Sequence, residues 1–101
     1  MIDISQAHLE IVRKILAEHA PEAEIRAFGS RVKGNAKDFS DLDIALVENA
    51  RISFDRMRLL KEALQNSVLP FRVDVVDWNS ISESFQAIVA EKFEIIRPGM
   101  F

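Results

Sequence analysis

One six-residue run, Leu42-Asp43-Ile44-Ala45-Leu46-Val47, constrains this chain more than any other part of it. Alternate residues of a β-strand share a face, so Leu42, Ile44 and Leu46 point one way, into a core. Asp41 and Asp43 then project together on the other side. Any fold that buries this strand has to display two carboxylates side by side at its mouth. Held within a few Å, two such groups repel one another and resist joint ionisation unless a cation sits between them.

The rest of the sequence supplies the elements that could bury the strand. Leu9, Val12 and Leu16 form a stripe, widened by Ile11 and Ile15, that predicts a helix over "SQAHLEIVRKILAEHA". Asp3 and Gln6 are at capping-box spacing before it, and Pro21 follows its end. "AEIRAF" reads as a short strand ending at Gly29, and "SRVKGNA" as one helical turn leading into a polar loop. Met57, Leu60 and Leu64 are in helical register within "SFDRMRLLKEALQNS", and the β-branched "FRVDVVDW" reads as a third strand. "SISESFQAIVAEKF" predicts a last helix, with Ser80 and Glu83 as its capping box and Ile81, Phe85, Ile88 and Val89 on one face. "EIIR" is a final short strand. The pattern is an α/β (α+β) domain, a small mixed β-sheet packed with helices.

At 101 residues the expectation is one domain, residues 1–101, with a single core and no second substrate-binding domain. No apolar run exceeds four residues, so no helix can span a membrane, and the first ten residues lack a signal-segment pattern. Cysteine is absent, which excludes disulfides, thiolate metal sites and cysteine nucleophiles and suits a reducing, cytoplasmic setting. A net charge of −3 without a basic run argues against direct binding of nucleic acid through its phosphates. A chain this small and this apolar is suited to homo- or hetero-oligomeric assembly.

The chemistry concentrates in "FGSRVKGNAKDFSDLDIALV". Asp41 and Asp43 suit Mg²⁺, which prefers hard oxygen ligands and commonly takes carboxylates together with substrate phosphates. Asp74 interrupts a β-branched run, where a charge is costly unless paired or bound to metal. It completes a three-carboxylate cluster if its strand lies beside that of Asp43. Asp77, on the opposite face, reads as a structural turn residue. Upstream, Gly29 permits a sharp turn and a close backbone approach, and the turn after it aims N–H groups and the Ser30 hydroxyl at an anion. Arg31 and Lys33 add positive charge there. Gly-Ser alone is a turn and Asp-x-Asp alone a strand edge. Ten residues apart, they describe a nucleoside triphosphate–Mg²⁺ site. His8 and His19 read as surface residues. Trp78, Phe71 and Phe85 read as packing residues, with Trp78 also a candidate border for a nucleotide base.

Gly-Ser, ten residues, Asp-x-Asp and a third acid on a later strand resemble the minimal nucleotidyltransferases of the polymerase-β-like superfamily, over nearly the whole chain. The resemblance implies nucleotidyl transfer with two Mg²⁺ ions. Asp41 and Asp43 bridge both, and Asp74 holds the ion nearer the attacking group and assists its deprotonation. Gly29 and Ser30, with Arg31 and Lys33 nearby, take the outer phosphates of ATP or another nucleoside triphosphate. Larger relatives carry an acceptor-binding domain that this chain leaves no room for. The family picture supplies the acceptor as a HEPN-type helical toxin, onto which AMP is transferred, often at a tyrosine, by its antitoxin. Two alternatives stand beside it: a non-catalytic antitoxin that only binds its partner, and a catalytic subunit that modifies a small hydroxylated molecule.

Overall fold

A computed structural model describes residues 2–100. In chain order it contains helix α1 (Gln6–His19), strand β1 (Glu24–Phe28), the short helix α2 (Ser30–Lys33) and strand β2 (Leu42–Val47). Helix α3 (Phe54–Gln65), strand β3 (Val73–Asp77), a 3₁₀ turn (Trp78–Ser80), helix α4 (Glu83–Glu91) and strand β4 (Glu94–Arg97) follow. The four strands form one sheet in the order β3-β2-β1-β4. β1 pairs antiparallel with both β2 and β4, and β2 pairs parallel with β3. A parallel pair cannot be joined by a hairpin, and α3 provides the crossover. The mixed sheet expected from the sequence follows from that single connection.

Alternation along the strands sorts the core into two layers. Ile25 and Ala27 of β1, Leu42, Ile44 and Leu46 of β2, and Val75 of β3 join Val12 and Leu16 of α1 and Leu60 and Leu64 of α3 in the main cluster. The opposite face holds a smaller cluster of Phe28, Ala45 and Val89, with Val76, Trp78, Ile81 and Phe93 packed against it. Arg26 is on this second face, its guanidinium 4.9 Å from the Trp78 ring centroid and 4.6 Å from that of Phe93. Two aromatic faces thus hold a cation that would otherwise be a poor neighbour for a core.

Both predicted capping boxes shift toward the C-terminus. α1 is capped by Ser5, whose Oγ accepts from His8 N, and not by Asp3. Asp3 is drawn into other bonds, its N donating to Arg31 O and its carbonyl accepting from Arg31 Nη1. α4 is capped by Ser82, whose Oγ accepts from Phe85 N, because Ser80 belongs to the 3₁₀ turn and donates its hydroxyl to Asp77. The face expected on α4 is also narrower than its apolar residues suggest. Val89 is buried, whereas Phe85 and Ile88 are exposed. His8 is half-buried and meets Phe71 edge-on at 5.6 Å. No helix is long and apolar enough to cross a membrane among the described residues.

Candidate active site

The parallel pairing of β2 with β3 sets Asp43 directly opposite Asp74. With Asp41 two residues before Asp43, the three predicted acids gather at the entrance of the two strands. They are on the sheet face of the smaller cluster, where Ala45 and Val76 continue inward as core. Leu42 and Val75, from the same strands, face the main cluster instead. The strand that buries Leu42, Ile44 and Leu46 therefore displays its carboxylates as its alternation requires.

Asp43 is half-buried. Its pKa is pushed up to about 6, first by loss of hydration and then by the neighbouring charges of Asp74 and Asp41, with Arg72 acting in the opposite sense. Crowding of this kind is relieved by a cation.

Gly29 is what allows Asp43 to sit there. It has φ 81° and ψ −156°, a conformation that L side chains rarely adopt. A Cβ at this position would lie 2.2 Å from Asp43 Oδ2 and 3.1 Å from its Cγ. The glycine turn and the Asp43 carboxylate are thus in direct contact. Ser30 opens α2 immediately afterwards, and Gly34 ends that turn in a left-handed conformation at φ 87°.

Arg31 does not play the part its charge suggested. It is buried, and all three guanidinium nitrogens donate to backbone carbonyls: Nε to Ser40 at 2.9 Å, Nη1 to Asp3 at 2.7 Å and Nη2 to Asp38 at 3.2 Å. Its plane is 4.2 Å from the Phe71 ring centroid. With its donors so committed, Arg31 fastens the loop that leads into Asp41 and is not placed to receive phosphates. Lys33 is solvent-exposed in α2. Asp77 is buried at the far end of β3, as expected of a turn residue. It accepts from Ile52 N, Asn79 N and Ser80 Oγ.

The sequence reading overlooked Arg72. Its Nη2 donates to both oxygens of Asp74, at 2.8 and 3.0 Å, and its Nε is 3.7 Å from Asp41 Oδ2. The signal was available, since Arg72 is two residues before Asp74 at the entrance of β3, the spacing that joined Asp41 to Asp43. Beside them a groove of about 480 Å³ runs between α3 and the outer edge of β3, lined by Lys61, Gln65, Phe71, Arg72 and Asp74 among others.

The donor set fits a hard divalent cation: carboxylate oxygens on adjacent strands in register, one with an elevated pKa. The arrangement is open, and among the described residues no three acidic or histidine side chains converge on one point suited to a metal. The Arg72 guanidinium is paired with Asp74 and lies near Asp41.

Known proteins share this architecture. The chain is 43% identical over 96 residues to the "Probable protein adenylyltransferase MntA" of Haemophilus influenzae strain Rd, a match covering 95% of this chain and 84% of that protein. A solved toxin–antitoxin structure with AMP-PNP superposes with a TM-score of 0.77 at 26% identity, over 91% of this chain and 74% of the other. The fold recurs in the complex of a tri-AMPylated Shewanella oneidensis HEPN toxin with its MNT antitoxin. There the TM-score is 0.72 at 24% identity, covering 94% of this chain and 73% of that one. Residues 9–97 match the polymerase beta nucleotidyltransferase family, and the chain belongs to that family of nucleotidyltransferases.

Proposed function

We propose that this protein transfers AMP from ATP to a hydroxyl group of a partner protein, and that the partner is a HEPN-type helical toxin which it neutralises as the antitoxin. The observation that carries the reading is the register of Asp43 against Asp74, with Asp41 alongside and Gly29 packed onto the Asp43 carboxylate. The MntA relative and the toxin–antitoxin neighbour holding AMP-PNP support the choice of reaction and of partner.

In this reading the residues divide the work. Asp41, Asp43 and Asp74 would hold Mg²⁺ ions through their carboxylate oxygens. When bound, those ions neutralise the phosphates and stabilise the attacking and leaving oxygens together. The Gly29–Ser30 turn takes the outer phosphates. Asp74, on the strand farther from that turn, receives the acceptor hydroxyl proton. The acceptor oxygen attacks the α-phosphorus, the bond to the bridging oxygen breaks, and pyrophosphate leaves. Arg31 contributes by fixing the 38–40 loop, and hence the entry of Asp41, through its three carbonyl contacts.

The test is the position of the label. With Mg²⁺ and the partner protein, label in the α-phosphate of ATP is expected on the partner and label in the γ-phosphate in released pyrophosphate. Transfer of γ-label to the partner would make the reaction phosphoryl transfer and contradict the proposal. Absence of transfer from either position, with the partner still inactivated by binding, would establish the non-catalytic antitoxin instead.

A further inference from the structure

We propose that Arg72 is the resident counter-ion of the acidic cluster, and that its guanidinium must release Asp74 before a divalent cation can be held there. The inference rests on the metal-site reading above and adds a residue that the reading does not use.

The geometry is specific. One guanidinium nitrogen, Nη2, is shared between both oxygens of Asp74, and Nε leans toward Asp41. Arg72 is the one cation in an ion pair with any of the three acids among the described residues. It donates to the same Asp74 oxygens that a hard cation would use. The two ligands therefore compete for the same oxygens, and their positive charges repel.

A role in holding the fold together accounts poorly for the contact. The Arg72 side chain is 71% exposed, and ion pairs so open to water contribute little to stability. Its absence from the core clusters points the same way. Exposure also gives it freedom to leave. Arg72 precedes β3 by one residue and borders the open groove lined by Phe71, Gln65 and Asp74. Arg31, by contrast, is fastened by three carbonyls and cannot exchange in this way.

The test is a titration of the nucleotide-free full chain with Mn²⁺ alone, followed by electron paramagnetic resonance. Arg72→Gln keeps polarity and much of the length but removes the charge. It is expected to bind Mn²⁺ about three- to tenfold more tightly than wild type, as follows from removing one positive charge a few Å from the ion in a largely aqueous setting. Arg72→Lys, which keeps the charge but loses the fork, should fall between the two, and raising ionic strength should narrow the differences. Equal or weaker binding by Arg72→Gln, with wild type still binding in a manner that Asp43→Asn abolishes, would overturn the counter-ion role alone. Failure of wild type to show any binding sensitive to Asp43→Asn would overturn the metal site, and this proposal with it.

Discussion

At the scale of single residues, the site depends on one contact that no sequence pattern announces: Gly29 against Asp43. Gly29→Ala faces two penalties, a φ of 81° and a methyl group overlapping Asp43 Oδ2. The expected outcome is loss of nucleotidyl transfer by at least about a hundredfold, as for small misplacements of reacting groups, measured with labelled ATP. The stability cost should be a modest ~1–3 kcal/mol. Asp43 also makes a pH prediction. Its folded pKa of about 6 exceeds its ordinary value of 3.8, so the folded state binds the proton more tightly than the unfolded chain. Its contribution therefore favours folding increasingly as pH falls from about 6 toward 3.8, and the full cost of ionisation is present above that window. In chelator-treated protein, Asp43→Asn should raise the melting temperature at pH 8, and the gain should vanish near pH 4. A lower melting temperature for Asp43→Asn at pH 8 would contradict the assigned crowding.

At the scale of elements, the sequence reveals what repeats and conceals what depends on partners distant along the chain. The stripes of α1 and α3 and the alternation of β2 and β3 are periodic, so their placement was legible, as was the shared face of Asp41 and Asp43. The caps were not. Asp3 and Ser80 satisfy the spacing rule, yet Arg31 claims Asp3 and Asp77 claims Ser80, so Ser5 and Ser82 take over. Arg31 was misread for a related reason. A sequence displays its charge but not the carbonyls of Asp3, Asp38 and Ser40 that surround it. Replacing Arg31 with methionine keeps bulk against Phe71 and leaves three carbonyl partners unmet. We expect a loss of about 2–4 kcal/mol in urea unfolding, since hydrogen bonds to a charged group are the stronger kind. Asp77 makes a parallel case, joining the Ile52 backbone to the 3₁₀ turn. Asp77→Ala should cost about 2–4 kcal/mol through its stranded donors, with Asp41, Asp43 and Asp74 left in place.

At the scale of the whole molecule, one sheet serves two purposes. Its main face is sealed by α1 and α3, and its other face is core behind Asp43 and Asp74 but open in front of them. Order along the sheet gives the site a direction. Gly29 and Ser30 follow β1, Asp41 and Asp43 belong to β2 and its entrance, and Asp74 is on the outermost strand, β3. The proposed reaction would use that order, with phosphates at the turn, metals at the central acids and the acceptor beside Asp74. An open groove borders Asp74 on that edge of the sheet. The central claim is that Asp43 and Asp74, opposed across β2 and β3, form the transfer site. Its most direct test is the transfer of label from α-labelled ATP to the partner protein, compared among wild type, Asp43→Asn and Asp74→Asn. Wild type should label the partner, and each variant should label it at least about a thousandfold more slowly while remaining folded. Undiminished labelling by either folded variant would contradict the claim.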